Sequence, residues 1–115
     1  NQLQNIFLIT PQTSKKRIEY IDKNSDGFLY VISSSSITGS TNKFDESSIN
    51  YFKKLEKMNL STTKIIGFGI SNNENFSIAS KYSKGCIVGS AFIKYIQKNG
   101  LKNIHNFINQ IKIEN

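Results

Sequence analysis

Lys64-Ile65-Ile66-Gly67-Phe68-Gly69-Ile70-Ser71, followed further on by Gly89-Ser90-Ala91, decides the reading of this chain. Each piece reads as a short buried strand that ends in glycine and runs straight into the start of a helix. Glycine at a strand's carboxyl end lets a ligand come close to the backbone. The helix that follows offers unpaired N–H groups and the positive end of its dipole. Two such junctions in succession make an anion site, and phosphate is the anion they suit best.

Working outward, the chain alternates strand and helix with short connections. Ile6–Thr10 is a continuous apolar run ended by Pro11, which cannot donate to a central ladder. Ser14 is placed to cap a helix running to about Lys23, with Ile18 and Ile21 inward. Asp26-Gly27 turns the chain into a second run, Phe28–Ile32, and a polar loop spans Ser33 to Lys43. A helix is expected from about Asp45 to Met58, with Ile49, Phe52 and Leu55 on one face and Asp45 and Glu46 at its positive end. After the third run, Ser71 and Glu74 have capping-box spacing. That helix ends near Tyr82, and Cys86–Val88 forms a fourth run. A short helix starts at Ser90, and Gly100 separates it from a last one with an apolar stripe of Leu101, Ile104, Ile108 and Ile111.

Because the runs are non-alternating and rich in Ile, Val and Phe, both sheet faces are expected to be buried, as in a parallel sheet. Four βα units with right-handed crossovers leave a small doubly wound sheet or half of an eight-stranded barrel. In (β/α)8 barrels the phosphate site commonly follows the last two strands, at the start of a short extra helix. The endings Gly67-Phe68-Gly69 and Gly89-Ser90, with the helix at Ser90 before the final one, fit the end of such a barrel. A glycine-rich turn alone also serves plain helix–strand packing.

Bulk properties bound the function. The 115 residues suffice for one domain, 1–115, and a hydrophobic content of 37% with 11% aromatics supports a core. No apolar run reaches the roughly 20 residues of a membrane span. Asn1-Gln2-Leu3-Gln4-Asn5 does not resemble a signal peptide, and the missing initiator methionine suggests a processed product or a piece of a longer chain. The net charge of +7 is scattered, its densest cluster being only Lys15-Lys16-Arg17, so a solvated surface is expected rather than a nucleic-acid face. A positive field still draws a phosphorylated small molecule toward a cleft. The lone Cys86 fits a reducing compartment and reads as a small buried hydrophobe. His105 lies in a polar-leaning stretch of the last helix and reads as solvated.

Four segments together resemble the tryptophan synthase alpha subunit family. They are Ile6-Phe7-Leu8-Ile9-Thr10-Pro11; Gly27-Phe28-Leu29-Tyr30-Val31-Ile32-Ser33 leading to Ile37-Thr38-Gly39; Gly67-Phe68-Gly69-Ile70-Ser71; and Val88-Gly89-Ser90-Ala91. The resemblance covers nearly the whole chain but only the second half of the family's TIM (β/α)8 barrel, strands five to eight. It implies a cytoplasmic lyase that cleaves indole-3-glycerol phosphate to indole and glyceraldehyde 3-phosphate in tryptophan biosynthesis. It further implies no metal and no cofactor in this subunit, and a pyridoxal-phosphate beta subunit as partner in an alpha2beta2 heterotetramer.

Residue by residue, the resemblance implies that Gly39, Gly69, Gly89 and Ser90 hold the substrate phosphate. Ile9, Tyr30, Phe68 and Ile87 would line the slot for the indole ring, and Thr38 would sit in a lid loop whose closure excludes water. Without the family, Tyr30 reads as a core aromatic and Thr38-Gly39 as an ordinary turn. Phe68, between two small neighbours, reads as exposed at the strand end. The family's acid–base carboxylates belong to earlier strands, and Asp26, Asp45 and Glu46 are explained by turns and helix capping. The chain is therefore expected to bind without catalysing alone. Ser34-Ser35-Ser36 departs from the family's lid pattern, where an arginine and a glycine are common. Two other readings remain: a phosphate-binding barrel of the pentose-phosphate epimerase or thiamine-phosphate synthase kind, or a non-catalytic half-barrel. A half-barrel exposes two sheet edges and an apolar face and is expected to dimerise or aggregate.

Overall fold

The computed structural model describes residues 2–33 and 43–112. Its elements alternate: β1 (Phe7–Ile9), α1 (Lys15–Asn24), β2 (Leu29–Ile32), α2 (Glu46–Lys57), β3 (Lys64–Gly67), α3 (Asn73–Tyr82), β4 (Gly85–Cys86) and α4 (Ser90–Asn99). A 3₁₀ turn, Leu101–Asn103, then leads into α5, Ile104–Lys112. The four strands form one sheet in the order β1-β2-β3-β4, every neighbouring pair parallel. Each strand therefore lies beside its predecessor and the order never reverses. A doubly wound sheet needs a reversal so that helices cover both faces. Right-handed crossovers that all step one way put every connecting helix on the same side. The sheet is therefore the half-barrel arrangement, not the doubly wound one.

Burial follows from this one-sided layering. Ile9, Leu29, Val31 and Ile66 point toward the helices and pack with Ile18 and Ile21 of α1, Phe52 and Leu55 of α2, and Ala79 of α3. Each fully buried side chain of this size is worth roughly 1.5–3 kcal/mol relative to exposure. The alternate residues of the same strands look the other way, and there Leu8 is 57% exposed. The expectation that both faces are buried fails, because no element among the described residues lies on the second face. A continuous apolar run is what a barrel strand needs, one face for the helices and one for the barrel interior.

Local signals explain the boundaries. Ser14 caps α1 by accepting from the Arg17 amide, and Asp45 caps α2 by accepting from the Ser48 amide. The cap of α3 is Asn72, whose side chain accepts from the Asn75 amide, rather than Ser71 of the expected capping box. Ser71 instead donates to Asn75 Oδ1, and Glu74 pairs with Lys43 at 3.2 Å. At the opposite end of the strands, Asp22 of α1 accepts from the Ser61 and Thr62 amides and the Ser61 hydroxyl, fixing the entry to β3.

The last helix is rotated from its expected phase. Phe107 and Ile111 are its buried residues, with Phe107 against Phe92 and Tyr95 at ring separations of 5.5 and 5.1 Å. Leu101 is 68% exposed because it belongs to the 3₁₀ turn, which breaks the helical spacing before Ile104. The fourth strand is Gly85–Cys86 rather than Cys86–Val88, although the Ile87 amide still reaches the Ile66 carbonyl at 2.9 Å.

Candidate functional site

The site is built where β3 and β4 end. After Gly67 the backbone enters the left-handed region at Phe68 (φ +70°) and Gly69 (φ +82°), and the next residue, Ile70, is buried. Glycine occupies this region freely, whereas phenylalanine does so at a cost of order 1 kcal/mol or more. The result is a sharp turn that leaves the Phe68 ring 52% exposed at the strand's carboxyl end. Tyr30, on the open face of β2 and paired with Ile65, reaches its ring diagonally over Gly67: a β-carbon there would meet its hydroxyl, and its ring Cζ at 2.5 Å. The constraint at Gly67 is thus the close approach of the tyrosine rather than its own backbone angles.

Ser33, which directly follows β2, holds the junction from the other side. It is 2% exposed; its amide donates to the Gly67 carbonyl at 3.4 Å and its hydroxyl donates to the Phe68 carbonyl. At the second junction, Gly89 leads into α4 without any side-chain capping bond, unlike the helices that begin after Ser14, Asp45 and Asn72. Its first amides are therefore free of side-chain caps and open to a ligand.

Between the two junctions lies a cavity of about 560 Å³, within the usual range for small-molecule sites. Tyr30, Phe68 and Ile87 form its apolar wall, and Gly69, Gly89 and Ser90 its polar end. Lys94, one turn into α4, adds a positive charge, and among the described lining residues none is a carboxylate. Such a wall can hold a flat apolar ring while the polar end holds an anion, but none of these described residues forms a carboxylate pair able to transfer protons. A neighbouring groove of about 550 Å³ between α3, α4 and α5 contains neither glycine junction residue.

The placements divide the expected site residues three ways. Gly69, Gly89, Ser90, Tyr30, Phe68 and Ile87 come together around one cavity. Ile9 does not join them. It is 0% exposed in the core between sheet and helices, one residue out of phase with the open face, where Leu8 stands. Thr38 and Gly39, with the Ser34-Ser35-Ser36 stretch, lie outside the described residues. Two residues escaped the sequence reading: Ser33, whose only signal is a polar residue closing an apolar strand, and Lys94, one lysine among many.

Among the described residues, Cys86 and His105 do not line the cavity. Cys86 is half-buried, and burial pushes its thiol up, partly offset by hydroxyls of Ser80 and Ser83. His105 is exposed on α5. Among the described residues no three His, Cys, Asp or Glu side chains form a group able to hold a metal ion. No described helix is long and apolar enough to cross a membrane.

Comparison with known proteins turns this geometry into a family. The family model described as tryptophan synthase alpha chain matches residues 1–114. The chain belongs to that family. It is 53% identical over 109 residues to the tryptophan synthase alpha chain of Flavobacterium psychrophilum, covering 95% of this chain and 43% of the relative. The corresponding protein of Christiangramia forsetii is 52% identical over 110 residues, again covering 43% of the relative. The chain thus spans less than half the length of the curated relatives it matches. Among solved structures, mutant tryptophan synthase alpha-subunits from Pyrococcus furiosus superpose with TM-scores of 0.75–0.76 at 23–24% identity. They are covered to 44% of their length and this chain to 94–95%. At that identity the likeness speaks for the fold, and the fold is half of a (β/α)8 barrel.

Proposed function

We propose that this chain is the phosphate- and indole-binding half of a tryptophan synthase alpha subunit, the lyase that cleaves indole-3-glycerol phosphate to indole and glyceraldehyde 3-phosphate. The observation that carries the reading is the cavity at the ends of β3 and β4. Its polar end (Gly69, Gly89, Ser90) and apolar wall (Tyr30, Phe68, Ile87) match the two ends of that substrate. In this reading the amides of Gly69, Gly89 and Ser90 and the Ser90 hydroxyl grip the phosphate, assisted by the field of Lys94. The ring wall orients the indole portion. Thr38 and Gly39, which lie outside the described residues, would belong to the same site by the family resemblance. The groups that move protons come from the other half of the barrel, so this half binds and orients. The subunit itself uses no cofactor or metal, its partner is a pyridoxal-phosphate beta subunit in an alpha2beta2 assembly, and it works in the cytoplasm.

The reading is tested by titrating the chain with sn-glycerol 3-phosphate while following backbone amides by NMR. Gly69→Asp places a carboxylate where the phosphate is held, and affinity is expected to fall at least tenfold through charge repulsion. Gly69→Asn imposes the same backbone strain without the charge and should retain more affinity. In a full-length alpha subunit carrying this half, Gly69→Asp should abolish aldol cleavage. Unchanged affinity in Gly69→Asp would sink the phosphate assignment.

A further inference from the structure

Ser33 is a buried polar residue at the end of β2, and its bonds go beyond the sheet ladder. Its amide donates to the Gly67 carbonyl in the manner of a continuing parallel strand. Its hydroxyl has that same carbonyl within reach at 3.4 Å, yet its shorter bond is to the carbonyl of Phe68, the first residue beyond the strand. Satisfying the hydroxyl required only the first acceptor. The second bond acts on the peptide unit that follows Phe68, a non-glycine residue held at positive φ beside the cavity.

The geometry of a peptide unit then gives this bond a consequence at the cavity. The Phe68 carbonyl and the Gly69 N–H belong to one planar trans unit and point in opposite directions. Anchoring the carbonyl on Ser33 therefore aims the Gly69 amide away from Ser33, and Gly69 lines the cavity. That amide donates to no other described group, so its donor is available to a ligand.

We infer that Ser33 is a positioning residue: its hydroxyl, by holding the Phe68 carbonyl, sets the Gly69 amide for an anionic ligand and the Phe68 ring for the apolar part. It acts through the backbone and touches no substrate itself. The inference rests on the reading of this cavity as a phosphate site.

The test compares unmutated chain with Ser33→Ala, Ser33→Cys and Ser33→Thr, titrated with sn-glycerol 3-phosphate by amide NMR. Cysteine keeps nearly the same volume with a weak donor, so loss of folding does not obscure the result, and threonine restores a hydroxyl. Ile66→Val, in the helix-side core, serves as a control that lowers stability without touching the junction. Loss of one orienting hydrogen bond is expected to weaken binding roughly three- to tenfold in the alanine and cysteine variants. Threonine should stay within about twofold of the unmutated chain, as should the Ile66→Val control. The Phe68 and Gly69 backbone shifts should move in the alanine and cysteine variants even without ligand. Binding by those two variants as tight as in the unmutated chain, with those shifts unmoved, overturns the inference alone. Absence of binding by the unmutated chain overturns the phosphate reading and this inference with it.

Discussion

Replacing Gly67 with alanine isolates one contact, the passage of the Tyr30 ring over β3. The added β-carbon would stand 2.5 Å from Tyr30 Cζ and 2.8 Å from Cε1, well inside van der Waals contact. Forcing such a fit costs about 1–3 kcal/mol. Gly67 does not have a positive φ, so alanine adopts its conformation and returns about 0.4–1 kcal/mol by restricting the unfolded chain. The net loss in Gly67→Ala is therefore expected between about zero and 2.5 kcal/mol. In a Tyr30→Ala background the ring is gone, and the same substitution should become neutral or stabilising by up to about 1 kcal/mol. The difference between backgrounds, about 1–3 kcal/mol, is the coupling between the two positions. Tyr30→Phe supplies the control: it removes only the hydroxyl, leaves Cζ and Cε1 in place, and should not rescue Gly67→Ala. Urea unfolding followed by far-UV circular dichroism measures all these variants. Equal effects of Gly67→Ala in the unmutated chain and in the Tyr30→Ala background would refute the argument that the tyrosine sets the identity of residue 67.

Three further outcomes follow from the structure. Burial raises the Asp22 carboxyl, but hydrogen bonds from Ser61 and Thr62 outweigh it and hold it below the ordinary aspartate value. A depressed native value contributes stability that is present above the unfolded value and lost as pH falls through the native one. Asp22→Asn should therefore lower stability at pH 7 by about 1 kcal/mol and flatten the acid limb below pH ~4, measured by urea titrations across pH; an unchanged limb argues against the clamp. Cys86 should react with iodoacetamide at pH 8 well below the rate of a free thiol, and urea should restore that rate; equal rates in native and unfolded chain contradict the burial. Finally, Leu8 and Phe68 on the uncovered side, with Ile6 and Ile108 elsewhere on the surface, are exposed apolar side chains, and β1 and β4 are edge strands of the sheet among the described residues. Sedimentation should show self-association at micromolar concentration that Leu8→Lys weakens, and a monodisperse monomer would contradict this.

Much of the architecture was legible from local signals. The alternation of apolar runs and amphipathic segments, the caps at Ser14 and Asp45, and the glycine endings at Gly67-Phe68-Gly69 and Gly89-Ser90 all depend on neighbours within one turn or one strand. Errors arose where a choice between equivalent local options was settled at a distance. Ser71 and Asn72 are both good caps, and the one that wins is set by where β3 delivers the chain. The phase of α5 followed Phe107, which finds Phe92 and Tyr95 on α4, rather than the regular isoleucine spacing that began at Leu101.

The amino-acid sequence by itself determined the βα alternation, the family, and which glycines stand at the strand ends, because these rest on short-range periodicity and on residue types at fixed spacing. Only the tertiary structure decided which face each strand residue serves. In a continuous apolar run the two parities look alike, so Ile9 could be assigned to the cavity although it packs against the helices and Leu8 faces the open side. The same holds for Tyr30 over Gly67 and for Ser33 on the Phe68 carbonyl, each joining residues more than thirty positions apart. Those pairings depend on the register of parallel strands, which is set when the sheet assembles, through hydrogen bonds the sequence does not encode one strand at a time.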